Sequence, residues 1–120
     1  MAGQTFPEYQ SHLRTLLGRL GKELQGPMAA FSQLHKAAIA DGALSGKIKE
    51  LIALAIAVSA HCEGCIAFHT HNALKAGATR PEILESLGVA VLMGGGPSAM
   101  YACEALEALE QFQAASTAKP

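Results

Sequence analysis

Tryptophan is absent from this 120-residue sequence, aromatic residues make up only 5% of it, and neither sign of charge dominates. Nine lysines and arginines balance ten aspartates and glutamates, and no segment concentrates either sign. Proteins that bind nucleic acids or anionic membranes do so through clustered basic residues. The even charge excludes that electrostatic footprint, and we expect no nucleic-acid partner.

Long hydrophobic runs are also missing. The most apolar stretches, 51–60 and 89–93, are shorter than the roughly 20 residues that span a bilayer. Residues 1–23 contain no apolar run of the kind that forms a signal peptide. These observations predict a cytoplasmic protein with no membrane partner.

Two kinds of cofactor motif are absent as well. No glycine-rich loop joins a strand pattern to a helix, as a nucleotide or flavin site would require. Ile66 follows Cys65, so the sequence lacks the CxxCH motif that attaches haem. We therefore expect no cofactor.

What the sequence has in quantity is alanine and leucine at helical spacing. Half of its residues are apolar, enough for one core, and we expect a single domain over residues 1–120 with a core at about 8–112. No partner segment shows the period of two that a sheet needs. The sequence predicts an all-α fold, a bundle of about six helices.

Turn and capping residues predict the boundaries of the first three helices. The first is expected from Pro7 to about Leu24, and the second after a break at Gly26-Pro27. Ser45 is expected to cap the third helix.

Capping and turn residues also predict the helix boundaries in the second half of the chain. A fourth helix is expected to begin at 59–62 and to end near Gly77. Residues 79–82 have the spacing of a capping box and start a fifth helix. The run 94–97 is expected to break the chain, after which Ser98 caps a last helix.

Three residues of the fourth helix can carry thiol chemistry. Cys62, Cys65 and His69 lie at i, i+3 and i+7, which places them on one stripe, expected to face inward, with His71 elsewhere on the wheel. A helix N-terminus acidifies a thiol, a second thiol one turn on can close a disulfide, and an imidazole can accept the thiol proton. The spacing predicts a redox centre, and the helix dipole alone favours Cys62 as the more acidic thiol.

Two other interpretations of these residues stay open. Cysteine and inward-facing histidine often serve only to fill a core. They are also standard zinc ligands, but a structural zinc site needs four of them, and no second Cys or His pair follows downstream. We expect no metal.

Glu50 precedes Cys62 by twelve positions, about 18 Å along an unbroken helix, which is too far for contact. If the chain reverses near 59–61 and the two helices pack antiparallel, Glu50 lies within a turn of His69 and completes a Glu–His–Cys proton relay. The alternative is a solvated acid early in a helix, which spacing alone favours.

The third helix has no polar face between Leu51 and Val58. A helix that is apolar all round must be covered all round, and so short a chain lacks the helices to do this alone. We expect a homo-oligomer that assembles through helical faces.

The segment Glu50-Leu51-Ile52-Ala53-Leu54-Ala55, followed by Cys62-x-x-Cys65-x-x-x-His69, resembles the alkylhydroperoxidase D-like branch of the carboxymuconolactone decarboxylase superfamily. The match runs from about Leu44 to Phe112 and includes the break at 94–97. The resemblance implies an all-helical bundle of that type, assembled as trimers or hexamers.

The same resemblance implies an antioxidant activity, peroxidase or disulfide reductase. Cys65 would attack a small peroxide or disulfide substrate, Cys62 would resolve the oxidised sulfur, and Glu50 and His69 would relay protons. A dithiol, thioredoxin-like or lipoyl reductant would restore the thiols.

One position departs from that pattern. The best-characterised peroxidases of the branch carry a histidine directly before the second cysteine, where this chain has Gly64, and His61 is the neighbouring substitute. Lactone decarboxylases of the superfamily lack the CxxC motif. A decarboxylase of that type and a non-enzymatic redox sensor or interaction subunit are the alternative functions.

The predicted pairing can be tested by counting thiols. Mild oxidation should remove two thiols per chain, because Cys62 and Cys65 share one stripe, and should leave Cys103 titratable. Loss of the Cys103 thiol instead would contradict the pairing.

Overall fold

The computed structural model describes residues 3–118, which contain helices and no strand. The helices are α1 (Phe6–Glu23), α2 (Gln25–Ile39), α3 (Gly46–Ser59), α4 (Glu63–Lys75) and α5 (Arg80–Ala118). The backbone of α5 leaves helical geometry at Gly95, where φ is 69° and ψ is −148°. The all-α prediction is confirmed, and the two last helices expected from the sequence are the halves of kinked α5.

Three helices form the centre of the molecule. Helix α3 packs against both α4 and α5, and α4 also packs against α5. Their facing residues are small or branched and fully buried: Leu54, Val58, Ile66, Ala73, Ile83, Ala105 and Leu109. These three helices therefore make a rigid base for the side chains that they carry.

Helices α1 and α2 form a hairpin on this base. Helix α1 contacts α4 and α5, and Phe6 at its start is only 1% exposed, so the core begins before residue 8. The backbone N–H of Phe6 donates to Oε1 of Gln111 at 2.7 Å, which ties α1 to α5. Helix α2 buries no residue of its own, and its backbone packs beside α1 and α3.

Local capping explains most of the helix starts. Ser45 Oγ accepts from the N–H of Ile48 at 3.2 Å, and Thr79 and Glu82 form the predicted reciprocal capping box. A second capping box joins Thr5 and Glu8, so α1 begins one residue before the expected Pro7.

Two predicted boundaries are wrong. The break before α2 falls at Leu24 (φ −122°, ψ 59°), and Gly26 and Pro27 lie in the first turn of α2, where proline needs no N–H partner. Ser98 does not cap a helix. The kink is at Gly95, and Ser98 follows it inside the resumed helix, 1% exposed, with its Oγ 3.5 Å from Ser59 Oγ.

Several large apolar side chains lie on the surface of the single chain. Ile56 of α3 is 63% exposed, and Leu92 and Met93 near the α5 kink are 79% and 78% exposed. Among the described helices, Arg80–Thr117 is long and apolar enough to cross a membrane by length and composition. Its inner face packs on α3 and α4, as the core helix of a bundle does.

The kink depends on the absence of a side chain at Gly94. A Cβ there would overlap the Ser98 hydroxyl and lie 2.7 Å from Ser98 Cβ. We therefore expect Gly94→Ala to reduce the free energy of unfolding by about 1–3 kcal/mol in chemical denaturation. Gly96→Ala is the matched control, because nothing lies within 4 Å of its Cβ position. Equal denaturation midpoints for the two variants would contradict this packing.

Candidate redox site

A tight reversal joins α3 to α4. The N–H of Ala60 donates to Ile56 O at 2.8 Å, and the N–H of Cys62 donates to Ala57 O at 3.1 Å. Between them His61 has a positive φ of 58°, a left-handed conformation that costs a non-glycine residue roughly 1–2 kcal/mol. Its ring stacks on Tyr101 of α5, with centroids 4.6 Å apart and planes 8° from parallel. The predicted antiparallel packing of α3 and α4 is thereby present.

The reversal delivers both cysteines to the start of α4. Cys62 is the N-cap residue, and its Sγ accepts from the N–H of Cys65 at 3.2 Å. Cys62 and Cys65 form a disulfide, with Cα atoms 5.2 Å apart. Cys103 is a free, exposed thiol. A thiolate at either position of the pair would meet the positive end of the α4 dipole.

Glu50 and His69 meet across the α3–α4 interface. Oε1 of Glu50 lies 2.7 Å from Nδ1 of His69, and their side chains are 6% and 20% exposed. A carboxylate can only accept hydrogen bonds, so Nδ1 of His69 carries the proton. In the neutral imidazole, Nε2 is then the ring nitrogen that can accept a proton. Glu50 is therefore the partner of His69 and not a solvated acid.

The stripe of Cys62, Cys65 and His69 is half-buried, and Cys65 packs against the core. The buried face of α4 carries Ile66, Ala67, Thr70 and Ala73. The stripe lies beside this face because α4 must also border the α1–α2 hairpin. His71 lies apart from it, with its ring centroid 5.2 Å from that of Phe112.

A cleft of about 920 Å³ lies between the α1–α2 hairpin and α4. Both cysteines and His69 line one wall. Most of the remaining lining is apolar: Leu13, Leu17, Met28, Ala29, Phe31 and Phe68. The redox pair is thus reached through an apolar space.

His35 of α2 also lines this cleft, and sequence reasoning missed it. Its ring centroid is 6.2 Å from that of His69, with an angle of 39° between the planes. His35 is 34 positions from His69 on an exposed helix, so only the folded chain brings the two rings together.

The structure also explains the glycine between the cysteines. A Cβ at Gly64 would lie 3.1 Å from Leu13 Cδ1 and 3.9 Å from the Tyr9 hydroxyl. Helix α1 occupies the space that a larger side chain at this position would need. His61 does not fill that role either, because its ring stacks on Tyr101.

Acidic residues lie at the edge of the site. Burial and the neighbouring carboxylate of Glu63 raise the pKa of Glu104 on α5 above its usual value. Glu63, whose carboxylate acts on Glu104, directly follows Cys62 at the N-terminus of α4. Within residues 3–118 no three His, Cys, Asp or Glu side chains cluster as metal ligands would.

Comparison with known proteins identifies the lineage. The model of the carboxymuconolactone decarboxylase family matches residues 26–108, from the first turn of α2 into the second half of α5. The chain belongs to this family.

Solved structures of the carboxymuconolactone decarboxylase family have the same fold as this chain. A family protein from Legionella pneumophila is 53% identical, has a TM-score of 0.86, and is covered over 96% of its length by 89% of this chain. A Thermotoga maritima member is 28% identical with a TM-score of 0.73, over 78% of this chain and 96% of that one.

Curated relatives are also close in sequence. An uncharacterized protein of Cupriavidus necator is 45% identical over 81% of this chain and 86% of its own length. Uncharacterized protein 4 of the cox locus of Paracoccus denitrificans is 40% identical over 72% and 78%. The family is thus established, while the activity must be argued from the site.

Proposed function

We propose that this member of the carboxymuconolactone decarboxylase family is a thiol-dependent antioxidant oxidoreductase of the alkylhydroperoxidase D-like branch. The observation that carries the proposal is the 2.7 Å hydrogen bond between Glu50 and His69, because His69 shares one cleft wall with the Cys62–Cys65 disulfide. An oriented imidazole beside a redox-active pair is the arrangement that thiol activation requires.

The reaction begins with both cysteines reduced. His69 Nε2 accepts the proton of the Cys65 thiol, one helical turn away, and the Glu50 carboxylate stabilises the resulting imidazolium. The Cys65 thiolate attacks one peroxide oxygen, the O–O bond breaks, and an alcohol and a Cys65 sulfenic acid form. The Cys62 thiol then attacks that sulfur, which closes the disulfide and releases water.

The division of labour between the two cysteines follows the family resemblance. Cys65 is assigned the attack because His69 follows it by four residues, one turn along the same face. Cys62, the N-cap of α4, is assigned the resolving and reductant-facing role. The N-cap position also favours a Cys62 thiolate, since the N–H of Cys65 points at its Sγ.

The lining of the cleft favours an organic substrate. Aliphatic and aromatic side chains would hold the alkyl group of a small hydroperoxide or disulfide. A dithiol, thioredoxin-like or lipoyl reductant would close the cycle in the cytoplasm, a reducing compartment. A part in an antioxidative response has been suggested for the Thermotoga maritima relative.

The relay can be tested by substitution. Reduced His69→Ala should react with an alkyl hydroperoxide about 10²- to 10⁴-fold more slowly in stopped flow, because its thiol lacks a base. Glu50→Gln should lower the rate less, since the amide still fills the site.

The matched control for these variants is His71→Ala, two residues along α4 with its ring beside Phe112. It should keep the wild-type rate, although it loses some packing. A control variant as slow as His69→Ala would contradict the relay, and a wild type inert to both hydroperoxides and disulfides would contradict the proposed function.

We also propose that the chain works as a homo-oligomer, a trimer or hexamer. The exposed apolar residues of α3 and α5, among them Ile56 and Leu92, support this because burial of such surface drives association. Light scattering at micromolar concentration should give a multiple of the 12.4 kDa chain mass. A monomeric mass would contradict assembly and leave the redox proposal standing.

A further inference from the structure

The imidazole of His35 is the least explained group in the cleft. Helix α2 buries none of its residues, yet it places this ring 6.2 Å from the ring of His69. Within residues 3–118, His35 makes no hydrogen bond or ion pair, and its ring contact is with His69. A single water molecule or substrate oxygen could bridge two rings at this separation.

His69 is placed to act as the base of the site. Its Nδ1 is held by the Glu50 carboxylate, which stabilises the imidazolium once the ring has taken a thiol proton. Cleavage of an alkyl hydroperoxide, however, expels an alkoxide, which must receive a proton as it leaves.

The titratable groups that line the cleft limit which side chain can donate this proton. They are Cys62, Cys65, His69 and His35. The two thiols are consumed by the disulfide chemistry, and His69 is committed to the first proton. No side chain at Gly64 reaches the cleft, and the His61 ring stacks on Tyr101. His35 is the remaining donor.

We propose that His35 is a second catalytic residue of the site, the general acid that protonates the leaving oxygen; this rests on the peroxidase activity proposed above. The Cys65 thiolate bonds to the distal oxygen of ROOH, the O–O electron pair departs with RO, and the His35 imidazolium gives its proton to form ROH. The proton that His69 took from the thiol then restores His35 through water, so each turnover leaves both rings unchanged.

The experiment compares two peroxides that differ in their leaving groups. tert-Butyl hydroperoxide expels an alkoxide that needs a proton, whereas peroxyacetic acid expels acetate, which does not. In stopped flow, reduced His35→Ala should react with the hydroperoxide about 10²-fold more slowly than wild type, a usual general-acid effect. Its rate with peroxyacetic acid should stay close to that of wild type.

Two further variants separate chemistry from structure. His35→Gln keeps a polar side chain of similar size but has no transferable proton, so it should show the same selective loss. His12→Ala removes an exposed histidine of α1 that does not line the cleft, and it should match wild type with both peroxides.

A selective loss with the hydroperoxide supports the role of His35. A loss of equal size with both peroxides, or no loss with either, overturns that role while the proposed function stands. A wild type that reduces neither peroxide overturns the peroxidase activity itself, and the role of His35 with it.

Discussion

The buried carboxylate of Glu50 is the constraint on which the rest of the site depends. An ionised group removed from water destabilises the fold by several kcal/mol unless an opposing partner or donor is held against it. In this chain the partner is His69, and it can be reached only if α4 runs back along α3. That return requires a tight reversal, which places His61 in a left-handed conformation stabilised by the Tyr101 ring. Cys62 becomes the N-cap of α4 as a direct result.

The opposite wall of the cleft is built by different helices. Helices α3 and α4 carry the redox groups, whereas α1 and α2 supply most of the apolar wall and His35. The family match begins at residue 26, so α1 lies outside it. Yet α1 is the helix that covers Gly64 with Leu13. Helix α1, unlike α2, therefore adds to the part of the chain that the family model matches.

Local rules explain which features the sequence could predict. The caps at Ser45 and Thr79 involve residues three apart, and the Glu50–His69 contact needs only two helices and one turn. The break at Leu24 was missed because glycine and proline are also favourable inside a first turn. Two contacts depend on how whole helices pack, so no spacing in the sequence predicts them. They are the burial of Ser98 against Gly94 and the approach of His35 to His69.

Trapping of a sulfenic acid tests the central claim most directly. In Cys62→Ser the resolving thiol is gone, so one equivalent of hydroperoxide should leave a sulfenic acid on Cys65 that reacts with dimedone and is located by mass spectrometry. Cys65→Ser should show no such adduct at Cys62. If neither variant is labelled and neither consumes peroxide, the chain does not reduce peroxides through this pair, and the proposed redox mechanism is wrong.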